Sequence, residues 1–253
     1  EAAAVAEFLQ KDVFGAIDGW NLGGRQITIA EFLDAAARKL PEKFGGTPLR
    51  EASIRKTLGA LYLRVDRFDE AESHLRQSLE IFARELGRED ARTVEAVDVL
   101  GQMYWHKWRY GEAEKYLSES LRGKRRLLGP EHRDTLQTMA WLGWACFGNG
   151  QAVKAESLLA EVSATARRTL GDRDPITVES LFYLGPALLS RGRFDEGERT
   201  IEEARRLSEG VLKPSQHWDV FPTGLLGLQY SREGGDEEAH DTLAKALAMA
   251  RKA

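Results

Sequence analysis

The stretch from Leu100 to Gly129 reads LGQMYWHKWRYGEAEKYLSESLRGKRRLLG, and a shift of 42 residues in either direction lays it on a degenerate copy of itself. Leu58, Leu100, Leu142, Leu184 and Leu226 share one column, and Gly59, Gly101, Gly143, Gly185 and Gly227 fill the next. Twelve residues after each glycine stands a small residue, Ala71, Ala113, Ala155, Gly197 or Ala239. Four further on comes a large one, Leu75, Leu117, Leu159, Ile201 or Leu243. Self-similarity at this period marks a stack of supersecondary units, none of which can bury its apolar face alone.

Within a repeat the apolar residues recur at three- and four-residue steps, the signature of helices with one buried face. Leu100, Met103 and Tyr104 lie on one face of a first helix, with Gly101 small enough to admit a crossing neighbour. Ala113, Leu117 and Leu121 mark a second helix, its alanine at the crossing. Leu-Gly pairs at 86/87, 128/129 and 170/171 close the second helices, because glycine takes the left-handed conformation after a helix end. Asp174 and Pro175 then read as N-cap and first helical residue. Pro186 falls inside a first helix and is expected to bend it at the cost of one hydrogen bond. Pro222 raises the same issue unless its helix starts late and holds it in the first turn.

Residues 1 to 43 read as two further helices. Val5, Phe8, Leu9, Val13 and Phe14 give one stripe, followed by a glycine-rich break. The next helix opens at Thr28 and Glu31, which have capping-box spacing, with Ile27 and Phe32 placed as a hydrophobic staple. A shift of 42 residues lays this helix on the second helix of the first repeat, so it is a half-repeat cap. The expected organisation is N-terminal helices over 1–43 and five 42-residue repeats over 44–253, in one continuous solenoid domain.

The order L-G-x-x-Y followed by A-x-x-x-L resembles the tetratricopeptide (TPR) signature, whose usual period is about 34 residues. The longer period here, with LGREDART, LGPEHRDT and LGDRDPIT between hairpins, is similar to the kinesin-light-chain-like subtype. HEAT repeats share the length but lack these columns. The resemblance implies an all-α fold, a right-handed superhelical solenoid of antiparallel helix hairpins, acting in protein binding. EFLQ at 7–10, GRQITIAEFLDAAARKL and LGALYLRVDRFDEAESHL also resemble the region after the kinase domain of bacterial multidomain serine/threonine kinases. On that resemblance the chain is the interaction arm of a larger signalling protein. A start at Glu-Ala-Ala-Ala instead of Met is expected of such a piece.

Composition narrows the function. With 36 Lys and Arg against 40 Asp and Glu, the net charge of −4 gives no general attraction for nucleic acid or anionic membrane. Arg84, Arg125, Arg126, Arg167, Arg168, Arg205 and Arg206 sit in the last turns of second helices, where positive charge complements the helix dipole. No apolar run is long enough to span a bilayer. The fragment is therefore expected in the cytoplasm, or outside it if a membrane span lies upstream. Catalysis is not expected. His132-Arg133-Asp134 spells the H-R-D of a kinase loop, but residue 139 is Met where a magnesium-holding asparagine is needed, so His132 reads as a helix cap. Glu237 and His240 make one E-x-x-H without the second copy such metal sites require. No metal or cofactor is expected. Cys146 replaces the tyrosine of the Tyr62, Tyr104 and Tyr230 column and reads as a core atom.

A surface remains. The resemblance to TPR proteins implies that first helices line a concave groove, with ligand contacts three before, one after and four after each glycine. On those columns and beside them stand Lys56, Leu63, Arg64, Gln102, Trp105, His106, Trp144, Phe147, Phe182 and Leu189. Four rings collect there, Trp105, Trp144, Phe147 and Phe182, either to anchor a partner or to pack between hairpins; at least two are expected to be exposed. The asparagines common on kinesin-light-chain groove helices are missing, so side-chain insertion is favoured over backbone reading. The expected partner is a protein or peptide with bulky apolar anchors. The alternative is a structural scaffold, a homo-oligomer that gathers attached domains by self-association. Trp108, in a turn where later repeats have Gly150, Gly192 and Gly234, is either exposed or folded onto Tyr110.

Overall fold

In the computed structural model, residues 28–44, 46–211 and 220–251 are described, and among them there are eleven helices and no strand. The expected helix over Val5–Phe14 and the staple residue Ile27 lie outside these residues. The helices are α1 (Ile29–Phe44), α2 (Pro48–Leu63), α3 (Phe68–Leu86), α4 (Ala91–His106), α5 (Tyr110–Leu128), α6 (Arg133–Gly148), α7 (Ala152–Leu170), α8 (Pro175–Ser190), α9 (Phe194–Ser208), α10 (Val220–Glu233) and α11 (Asp236–Arg251). The chain divides into two compact units, residues 1–123 and 124–253, with the boundary inside α5.

Each hairpin is closed by a leucine or isoleucine lying over a glycine. A Cβ added to Gly59, Gly101, Gly143, Gly185 or Gly227 would come within 2.4–2.8 Å of Leu75, Leu117, Leu159, Ile201 or Leu243 respectively. The glycine column of first helices is thus a row of notches, and four of the five facing side chains are wholly buried. In unit one α2 packs on α1 and α3, and α3 on α4. In unit two α8 packs on α6, α7, α9 and α10.

The connections repeat as closely as the cores. First helices end with one left-handed residue, Asp66 (φ 57), Trp108 (φ 59), Gly150, Gly192 or Gly234. The next amide reaches back to the carbonyl five residues earlier, as in Arg67 N–H to Tyr62 O and Arg109 N–H to Tyr104 O, both 3.0 Å. Second helices stop at Gly87, Gly129 and Gly171, all at positive φ. First helices then restart on capping side chains: Asp90 accepts from Arg92 N–H (2.9 Å), His132 Nδ1 from Asp134 N–H (3.2 Å) and Asp174 from Ile176 N–H (2.9 Å). The H-R-D histidine is therefore a cap. Thr93 and Thr177 hydroxyls donate to Gly87 O and Gly171 O at 2.8 and 2.9 Å, pinning the loops that precede them.

The capping box expected at the start of α1 is formed, with Glu31 N–H donating to Thr28 Oγ1 (3.2 Å) and Thr28 N–H to Glu31 Oε2 (3.0 Å). Successive helices are tied by tyrosines, buried at Tyr62 and Tyr104 and half-buried at Tyr230. Tyr62 donates to Asp34 (2.8 Å), Tyr104 to Glu72 (2.6 Å) and Tyr230 to Glu198. Each hydroxyl thus fixes a first helix to the second helix before it. Cys146 occupies the same column as a fully buried core atom. Helix α8 continues through Pro186 to Ser190, and Pro222 falls in the first turn of α10.

Two substitutions test this account by chemical denaturation. Gly101→Ala forces a methyl onto Leu117 and is expected to cost about 1–3 kcal/mol, whereas Gly111→Ala, with nothing within 4 Å, is expected to be neutral or stabilising. Trp108→Gly relieves a left-handed non-glycine residue and is expected to leave stability unchanged or raise it by up to about 1 kcal/mol.

Candidate partner-binding surface

In unit one the face shared by α2 and α4 is polar at one end and apolar at the other. Lys56 Nζ meets Glu95 at 2.5 Å. One turn along α4, buried Asp98 accepts from Gln102 Nε2 (2.8 Å) and from Ser120 Oγ (2.7 Å), so both its oxygens are satisfied. Beyond them stand half-buried Leu63 and Trp105, the indole meeting His106 edge-on at 4.9 Å. Arg64 and His106 are exposed at the rim. No described residue forms an ion pair with Arg64, which leaves its guanidinium open to solvent. Six of the sequence-derived residues, Lys56, Leu63, Arg64, Gln102, Trp105 and His106, are thereby brought onto one unit.

Unit two treats its members differently. Trp144 stacks on Phe147 (5.1 Å) and on Tyr183 (4.8 Å) and is buried, while Phe147 is half-buried. Phe182 has no exposed surface and packs with Val178, Leu181 and Ala204. Leu189 packs with Ile201 and Leu226. These two are corrections to the surface expected from sequence. Residues Ile176 to Leu189 of α8 are buried, with Glu179 at 9% exposure, and the helix packs on α6, α7, α9 and α10. The expectation of two exposed rings is likewise corrected to two half-buried ones, Trp105 and Phe147. Trp108 reaches solvent, 72% exposed, while still meeting Tyr110 edge-on at 6.1 Å.

One residue escaped the sequence reading. Glu179 is buried in α8, where Gln137 Nε2 donates to its Oε2 at 3.1 Å. Burial pushes its carboxyl up to about 7, with the Asp174 charge adding to the rise and the Gln137 hydrogen bond and Arg133 opposing it. The signal was present as a single acid within the apolar run ITVESLFYLGPALL.

The comparisons agree with the geometry. The tetratricopeptide repeat family model matches residues 50–125 and 96–161. Among curated proteins nothing matches. Of the similar solved structures, the Podosopora anserina putative kinesin light chain with nearly identical TPR-like repeats has 24% identity and TM-score 0.62, over 81% of this chain and 96% of that one. BtubC (BKLC) from P. vanneervenii has 18% identity and TM-score 0.67, over 90% and 92%. A Rap protein complexed with Competence and Sporulation Factor has 14% identity and TM-score 0.69, over 99% and 76%.

The Glu179 geometry makes stability depend on pH. Because the folded carboxyl holds its proton up to about 7, well above an unfolded glutamate, stability falls as pH rises from the unfolded value through 7. Glu179→Gln is expected to abolish this slope, stabilising the fold by on the order of 1–3 kcal/mol at about pH 8 and by little near pH 4. Thermal melts of both proteins across that range check it. Residues 50–161 thus match the tetratricopeptide repeat model, and the chain shares its helical-hairpin fold with kinesin-light-chain-like repeat proteins.

Proposed function

We propose that the chain is a non-catalytic protein-interaction module whose first-helix face holds a partner segment through bulky apolar anchors. The observation that carries this reading is the unit-one surface, where half-buried Trp105 and Leu63 offer an apolar contact rimmed by exposed Arg64 and His106. Large aromatics in such a setting are the usual energetic anchors of interfaces. A Rap protein of this fold complexed with Competence and Sporulation Factor supports a holding role for the architecture. The resemblance to regions that follow bacterial kinase domains supports a place as the interaction arm of a larger protein.

A second reading, self-association as a scaffold, is favoured by Leu228, Leu243 and Leu247 of α10 and α11, which are 54, 36 and 52% exposed. Light scattering at high concentration separates the two. A dimer that reverts to monomer in Leu247→Glu supports the scaffold, and a monomer throughout counts against it.

For the leading reading, affinity capture from a native lysate is compared between the wild type and Trp105→Ala, with circular dichroism confirming that both are folded. The variant is expected to bind the captured partner at least tenfold more weakly, from the roughly 2 kcal/mol that a buried aromatic anchor contributes. Equal affinity in the folded variant would falsify the assignment of this face.

A further inference from the structure

We propose that Glu179 is a docking carboxylate for a cationic side chain, lysine or arginine, of a partner segment lying along α6 and α8. This deepens the reading above, on which it rests, that first helices hold a partner.

The argument begins with the repeat columns. Ser53, Glu95, Gln137 and Glu179 occupy one position of successive first helices. In unit one the acid of that column is neutralised within the chain. Lys56, three residues past the column on the preceding first helix, places its ammonium 2.5 Å from Glu95. The residue that stands in the Lys56 position before Glu179 is Ala140, which is fully buried and carries no charge. The same scaffold therefore builds a glutamate with its cation in one unit and a glutamate without one in the other.

The surroundings of Glu179 do not make up the difference. Its Oε2 accepts from the neutral amide of Gln137, and no described residue donates to Oε1. Arg133 is already engaged by Asp174 at 2.6 Å, and Asp174 adds negative charge to the same seam. A glutamate that keeps 9% exposure and one neutral donor is short of positive charge, and its raised proton affinity is the expected response. A ligand ammonium or guanidinium would complete it, as Lys56 completes Glu95.

The walls fit the stem of such a side chain. Tyr183 follows Glu179 by one turn of α8, and Trp141, half-buried, follows Gln137 by one turn of α6. Trp144 stacks on Tyr183 at 4.8 Å and both rings are buried, so half-buried Trp141 is the ring a stem would meet. Long cationic side chains lay their methylenes on such surfaces and pair through their tips. A phosphate would meet the wrong sign of charge, and a metal ion would find one carboxylate where several ligands are needed.

The test uses the whole chain and an array of short synthetic peptides of random sequence, read with the wild type, Glu179→Gln and Ala140→Lys. Ala140→Lys supplies the cation in the Lys56 manner and should close the site from within. The expected result is that peptides bound by the wild type are enriched in lysine or arginine, and that the folded variants lose this enrichment. For the best peptide, replacing its cation by norleucine should weaken wild-type binding at least about tenfold and leave binding to Glu179→Gln nearly unchanged. If Ala140→Lys does not fold, Glu179→Gln decides alone. Peptides bound without a cation preference, or equally by wild type and Glu179→Gln, overturn this inference while leaving the partner-holding reading intact. Binding of no peptide overturns both.

Discussion

A leucine or isoleucine laid over a glycine, once in every hairpin, is the contact on which the remaining geometry depends. Without a Cβ at Gly59, Gly101, Gly143, Gly185 and Gly227, second helices approach first helices closely enough that a facing Leu or Ile side chain fills the notch. Leu75, Leu117, Leu159 and Ile201 are wholly buried by it, each burial worth about 1.5–3 kcal/mol. The fourth hairpin carries the principle furthest. There Gly197 replaces the alanine of the other second helices, and Leu189 comes within 2.6 Å of where its Cβ would stand. Helix α8 is accordingly buried along most of its length, with Glu179 its charged residue.

Close packing of apolar faces fixes which helices touch, and the polar atoms at their ends fix where. A left-handed residue after each first helix turns the chain back, and a cap on Asp90, His132 or Asp174 starts the next. Tyrosine hydroxyls then hold hairpin to hairpin through carboxylates, as Tyr104 does with Glu72, which also meets Arg76 and Lys107. Such a buried hydroxyl would cost free energy unpaired, so the tie is also a register mark. In the first hairpin the imidazole of His74 lies flat on Tyr62 at 5.5 Å and faces Arg55 at 3.4 Å. Burial, with the Arg55 charge beside it, drives its pKa down to about 4. Its contribution to stability is therefore lost as pH falls from the ordinary histidine value through 4, the opposite sense to Glu179.

The fold was legible in the sequence because every element of it repeats. A column that reads Leu-Gly five times, or Leu-Gly at three successive loops, averages over local noise, and the caps at Thr28, His132 and Asp174 followed from spacing alone. The surface was legible only in part. Periodicity reports that a face is covered without saying whether a neighbouring helix or a ligand covers it. Trp105 and Phe182 occupy comparable first-helix faces, yet one is half-buried and the other has no exposed surface. What separates them is the rest of that face: α4 carries Glu95, Asp98 and Gln102 where α8 has Glu179, Phe182 and Pro186. Reading helices one column at a time hid that difference.

The packing columns must stay constant for hairpins to stack, so difference between units can accumulate only in the columns between them. On the first-helix face of unit one those positions hold a closed set of polar pairs, Lys56 with Glu95 and Asp98 with Gln102 and Ser120, followed by Trp105. On α6 and α8 they hold an aromatic stack and an acid with a single neutral partner. A satisfied ion pair gains nothing from a ligand charge, because any new contact must first break the old one. A carboxyl already largely withdrawn from water and lacking a cation gains more, since most of its desolvation precedes the ligand. The same reasoning explains why Ala140 matters although it touches no ligand. By being small and uncharged at the one position where its sister repeat has lysine, it leaves the electrostatic requirement of Glu179 open.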